Sequence, residues 1–180
     1  NFVFIGSLHK RKNLKNLLLA FENYKKTNGT LKLVIAGEQK WLDKKTKTIY
    51  KDMDFKHEVL FLGRINNTEL TQILGSAKAL CFISFFEGFG LPIIEAMKCA
   101  TPVITSNTTC MPEISGDAAI KIDPQNIQEI SSAMVEIDKN SNLRKQLVEK
   151  GAIRVKDFNW ELSAQKIWKI IKKLGDVKTI

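Results

Sequence analysis

The run Glu87-Gly-Phe-Gly-Leu-Pro-Ile-Ile-Glu95-Ala-Met constrains the fold of this chain more than any other. It follows Ala79-Leu-Cys-Phe-Ile83, an apolar segment that reads as a buried strand, and it sets Pro92 where a helix accepts it, in the first turn. Strand, glycine-rich turn and helix therefore succeed one another without an intervening loop of any length. Gly88 and Gly90 let the backbone come close to a ligand, and the unpaired N–H groups of the helix start face outward toward an anion. Glu87 stands on the turn and Glu95 about one helical turn inside. A phosphate-bearing ligand with hydroxyl groups on both sides uses all of these groups.

The same alternation runs along the chain. Phe2–Ile5 is an apolar run ended by Gly6 and reads as a strand. Asn13 is placed to cap a helix whose apolar face is Leu14, Leu17, Leu18 and Phe21, and Asn28-Gly29 ends it. Residues 31–36 form the next strand, closed by Gly37, and a lysine-rich amphipathic helix is expected over 41–51. A strand at 59–62 and a helix at 68–76 come next. Strands at 79–83 and 103–105 flank the signature helix, and Met111-Pro112-Glu113 turns the chain. A sixth strand falls at 118–122, with helices near 127–138, 143–155 and 161–174. Strands and helices in this order predict an α/β fold, a Rossmann-like doubly wound parallel sheet of about six strands. Ligands of such sheets bind outside the carboxyl ends of the strands, where Lys12, Gly63 and Glu87 all fall.

A chain of 180 residues at 44% hydrophobic suits a single domain over 1–180 with a full core. The net charge of +9 is spread over many segments, without a basic, aromatic-interleaved face, so nucleic acid is not an expected partner. Cys81, Cys99 and Cys110 form no C-x-x-C pair and suit reduced thiols in a cytoplasmic protein. The segment 158–174 joins Trp160, Ile167, Trp168 and Ile171 to four lysines. It reads first as a helix docked on the domain edge, and second as a route to peripheral contact with the inner face of a membrane. Asp52-Met-Asp54 imitates a metal-binding pair but sits among lysines, and His9 and His57 lack partners at ligand spacing, so neither a metal nor another cofactor is expected.

The signature resembles that of retaining glycosyltransferases of family four, group 1, enzymes built from two facing Rossmann-like halves in the GT-B architecture. Gly6-Ser-Leu-His-Lys-Arg-Lys12, Val59-Leu-Phe-Leu-Gly63-Arg, Pro102-Val-Ile-Thr, Pro112-Glu113-Ile and Phe158-Asn-Trp160 follow the family's order. The resemblance covers the C-terminal, donor-binding half. The N-terminal acceptor half is expected to lie outside this chain, which enters a strand from Asn1 without an initiator Met.

The resemblance implies that a nucleotide-diphosphate sugar binds here for retaining transfer of a hexosyl group, mannosyl among the candidates, to a polysaccharide or glycolipid acceptor. It implies that Glu87 faces the sugar and the charge at its anomeric centre, and that Glu95 binds the ribose hydroxyls. Lys12 then meets the leaving diphosphate as the second catalytic residue, while Arg64 and Ile65 lie beside the base. Gly88, Phe89, Gly90 and Leu91 supply the close backbone. Many members carry an arginine where this chain has Ser7, and Arg11 is the candidate replacement. Two rivals stand beside this reading: one half of a nucleotide-sugar 2-epimerase, and a non-catalytic Rossmann-like module with a basic surface.

Overall fold

The computed structural model describes residues 1–175. Its centre is a six-stranded, wholly parallel sheet in the order β3-β2-β1-β4-β5-β6. The strands are β1 (Phe2–Ile5), β2 (Leu33–Ala36), β3 (Val59–Gly63), β4 (Ala79–Phe82), β5 (Val103–Ser106) and β6 (Ile120–Ile122). The order reverses direction between β1 and β4, so the chain leaves these two central strands toward opposite sides and opens a crevice at their carboxyl ends. The doubly wound sheet expected from the alternation is the one observed.

Helices cover both faces. They are α1 (Leu14–Lys26), α2 (Lys44–Asp52), α3 (Asn67–Ser76), α4 (Leu91–Lys98), α5 (Met111–Ser115), α6 (Ile127–Lys139), α7 (Ser141–Arg154) and α8 (Trp160–Gly175). Because the central strands are buried on both sides, their residues alternate between two cores. Phe2, Phe4, Ala79, Cys81 and Ile104 join α1 and α6 in one core. Leu80, Phe82 and Val103 join α3, α4 and α5 in the other. Burial at this density is the main stabilising term of the fold, at about 25 cal/mol per Å² of apolar surface.

Local chemistry sets the helix starts. Asp43 caps α2 through the Thr46 backbone N–H, three residues beyond the expected helix start, while 39–41 forms a separate 3-10 turn. Asn66 and Glu69 close a reciprocal capping box at α3. Three expectations are corrected. Asn13 does not cap α1 with its side chain: it lies in the left-handed region at φ 60°, and its amide donates to the Ile83 and Pro124 carbonyls instead. Met111-Pro112-Glu113 is not a plain turn but opens the short helix α5, because Met111 and Ile114 both reach the second core. Helix α8 is not docked: every residue from Trp160 to Leu174 is exposed. An amphipathic period predicts a buried face without saying what buries it.

Two glycines make opposite predictions. A Cβ at Gly37 would strike the Gly6 carbonyl oxygen where the ends of β1 and β2 pack, whereas a Cβ at Gly75 within α3 meets nothing within 4 Å. Gly37→Ala should therefore cost roughly 1–3 kcal/mol by overpacking. Gly75→Ala should gain about 0.5–1 kcal/mol by removing backbone freedom from the unfolded chain. Urea unfolding of the two variants checks both signs.

Candidate functional site

The site is assembled at the carboxyl ends of β1 and β4. Gly6 leaves β1 at φ 138°, a conformation L side chains avoid, and the Lys12 side chain runs back across it, its Cε 3.4 Å from where a Cβ would stand. A 3-10 turn over Lys10–Lys12 then delivers Arg11 and Lys12 in succession. The Asn13 amide ties this loop to the ends of β4 and β6 at 3.0 and 2.7 Å. The Phe85 N–H donates to the Arg11 carbonyl at 2.8 Å, locking the loops after β1 and β4 together.

Glu87 is the meeting point. It is only 8% exposed, with Lys12 Nζ 2.6 Å from its Oε1 and Arg11 donating to its Oε2 at 2.8 Å. Arg11 also donates to the Phe86 carbonyl at 3.2 Å. Lys12 is equally buried, its ammonium 4.9 Å from the centre of the Phe82 ring. On the other flank the Glu87 N–H donates to Thr109 Oγ1, and Cys110 Sγ donates to the Glu87 carbonyl. Lys12 approaches Oε1 off the hydrogen-bonding direction, so that oxygen has no aligned donor. The buried Ser84 hydroxyl is near enough to steady the carboxylate but is likewise unaligned. Burial works to raise the Glu87 pKa, yet Lys12, Ser84 and Arg11 outweigh it and hold the carboxyl below its usual range. Near neutral pH Glu87 is thus an anion between two cations, and the trio keeps a net positive charge.

Glu95 lives in a different environment. It is half-buried on α4, and its carboxylate has no hydrogen bond or ion pair among the described residues. Burial pushes its pKa up against a smaller opposing effect of Lys98. It lines a cavity of about 450 Å³ with Phe89, Leu91, Phe158 and Trp160, where Phe89 and Phe158 meet edge to face at 6.0 Å. Arg64 and Ile65 line a third space of about 310 Å³ with Gly6 and Ser7. The structure therefore brings Arg11, Lys12 and Glu87 into contact. It sets Arg64 and Ile65 next to them across Gly6, and Glu95 apart from the trio. Gly90 caps α4 at φ 96°, and Gly88 faces open space.

Sequence reasoning missed Ser84, Asn13 and the use of Thr109 to hold the Glu87 backbone. Arg11 was a candidate for the place of the arginine missing at Ser7. In this structure it is committed to Glu87 and the Phe86 carbonyl, and the cation beside Ser7 is Arg64.

The profile of glycosyl transferases group 1 matches residues 1–154. The chain is 31% identical over 160 residues to O-antigen chain mannosyltransferase B of Escherichia coli, covering 88% of this chain and 42% of that protein. It is 28% identical over 172 residues to glycogen synthase of Mycobacterium tuberculosis, covering 90% of this chain and 40% of that one. Among solved structures, sucrose-phosphate synthase from Thermosynechococcus elongatus superimposes with a TM-score of 0.84 at 24% identity, over 96% of this chain and 45% of that one. Anabaena Alr3699/HepE, solved with UDP and glucose, gives 0.83 at 17% identity, over 96% and 48%. This chain spans less than half the length of each.

The depressed Glu87 pKa has a consequence for stability. The stabilisation is complete above the unfolded-state value, because the carboxylate is ionised in both states there, and it is lost as pH falls through the lower folded-state value. Wild type should lose more unfolding free energy than Glu87→Gln between about pH 6 and about pH 3. Urea titrations across that range give the comparison, and parallel losses would remove Glu87 from the acid transition.

Proposed function

The chain belongs to the glycosyl transferases of group 1, and on that footing we propose that it is the donor-binding half of a retaining glycosyltransferase. It takes a nucleoside-diphosphate sugar and passes a hexosyl group, of the mannosyl type, to a polysaccharide or glycolipid acceptor. The observation that carries this reading is the buried Lys12–Glu87 pair beside the start of α4. A cationic pocket that already holds one carboxylate, with an open helix N-terminus next to it, suits a diphosphate arriving with sugar hydroxyls attached.

Each residue then has a role. Lys12 neutralises the diphosphate as it leaves. Glu87, held ionised, is unsuited to donate a proton near neutral pH; it accepts from sugar hydroxyls and balances charge at the anomeric carbon. Glu95 has no protein partner and accepts from the ribose hydroxyls, while Arg64 and Ile65 border the base. Gly88, Phe89, Gly90 and Leu91 bring backbone N–H groups close. Arg11 orients Glu87. Retention follows from front-face substitution, with the leaving phosphate helping to deprotonate the acceptor.

The acceptor half is the second wall of the cleft. The mannosyltransferase relative is more than twice as long as the stretch matched here, which leaves room for it. The uncovered apolar face of α8, with Trp168 58% and Ile171 51% exposed, suits that wall. No helix among the described residues is long and apolar enough to cross a membrane. We place the enzyme on the cytoplasmic side, with the α8 lysines available to an anionic surface. Donor binding needs no metal in this account.

Calorimetric titration with UDP, GDP and ADP tests the reading, and binding should be indifferent to EDTA. Glu95→Gln should weaken the best of the three by roughly 1–2 kcal/mol, the scale of a hydrogen bond to a charged group. The loss should be smaller for the 2′-deoxy ligand, and equal losses for both ligands would take Glu95 away from the ribose. The isolated chain should bind donor without transferring sugar, since orientation of both substrates accounts for several kcal/mol of such barriers. Acceptor-dependent turnover by this chain alone would contradict the two-half account.

A further inference from the structure

A larger cavity, of about 640 Å³, is bordered by Phe85, two residues before Glu87. It opens between the start of α1, the start of α2 and Phe85, and the donor roles above make no use of it. Lys10, Lys15 and Lys45 line it together with His9. None of these lysines forms an ion pair among the described residues. The one carboxylate on the described wall, Asp43, is already committed to capping α2. Its Oδ1 accepts from the Thr46 N–H at 3.1 Å and its Oδ2 from the Thr46 hydroxyl at 2.7 Å. The start of α1 adds to the positive field, because no side chain caps its first turn. The rest of the wall is apolar, from Leu8, Leu14, Phe85 and Ile127.

The three lysines outnumber Asp43, which interacts with Lys10, so the repulsion among them is only partly offset, and the concave wall focuses the remaining positive field. An incoming anion relieves that repulsion. The apolar wall beside the lysines specifies what the anion is attached to. We propose that this cavity is a second anion site that takes a phosphate ester carrying an apolar or ring-shaped substituent. Phe85, two residues before Glu87, is shared by the two sites and is fastened to the Arg11 carbonyl at 2.8 Å. The affinity of the cavity for a phosphate ester does not rest on the donor reading of Glu87.

The test is calorimetric titration with hexyl phosphate, with hexyl glucoside as the uncharged control, before and after saturation with the nucleoside diphosphate that binds best. Lys15→Ala/Lys45→Ala removes two of the charges, and neither residue belongs to the Lys12–Glu87 trio. Hexyl phosphate should bind wild type and bind the double variant about tenfold more weakly, the scale of one charged hydrogen bond. Nucleoside diphosphate affinity should be the same in both proteins, and an unchanged thermal melt shows that the variant is folded. The proposal is overturned by equal hexyl phosphate affinity in the two proteins, by equal affinity for hexyl glucoside, by displacement of hexyl phosphate by the nucleotide, or by no binding at millimolar concentration. If hexyl phosphate binds in a lysine-dependent way while no nucleotide binds, the second anion site stands and the donor reading falls.

Discussion

The ion pair between Lys12 and Glu87, with Arg11 on the second carboxylate oxygen, is the constraint on which the site depends. Both partners are more than nine-tenths buried, and removing two charges from water costs several kcal/mol per ion unless geometry returns it. The surrounding structure supplies that geometry. Gly6 clears a path for the lysine stem, the Phe82 ring meets its ammonium, and the Asn13 amide pins the turn between β1 and α1 to the ends of β4 and β6. Thr109 and Cys110 hold the Glu87 backbone from the side of β5. Loops from three strands are thereby fixed around one carboxylate, and a buried charge kept at such cost suits a site that must receive another charge.

The two glutamates of the signature are eight positions apart and experience opposite environments. Glu87 is held below the usual carboxylate range because its cations outweigh its burial. Glu95 is pushed above it because burial meets only one weak counter-effect, from Lys98. Environments that drive two carboxyls apart in this way assign them different tasks. Glu87 is a fixed anion that organises charge. The Glu95 carboxyl is a half-buried acceptor with no side-chain partner among the described residues.

Much of this was legible in the sequence because the signals were local. Apolar runs stopped by Gly6, Gly37 and Gly63 marked strands β1 to β3, and the topology of a parallel sheet then placed Lys12 and Glu87 on one rim. The failures have physical causes. Asn13 looked like a cap, but its left-handed backbone and the bonds from its Nδ2 to two distant carbonyls hold its Oδ1 away from the N–H groups of α1. The 111–113 segment looked like a turn because Pro112 hid a helix whose reason is tertiary, the burial of Met111 and Ile114. The periodicity of α8 correctly marked an apolar face, yet no residue pattern states that the rest of the domain leaves that face exposed. The separation of Glu95 from the trio depends on the rotation of α4 against its neighbours, which spacing alone does not fix.

The central claim is that the Lys12–Glu87 pair is a receptor for a diphosphate and not only a structural fastening. The most direct measurement is a crystal structure of this chain with the nucleoside diphosphate that binds it best. The account predicts a terminal phosphate oxygen within hydrogen-bonding distance of Lys12 Nζ, about 2.7–3.0 Å, at the N-terminus of α4. A diphosphate bound elsewhere, with Lys12 and Glu87 still closed on each other and away from the ligand, would contradict it.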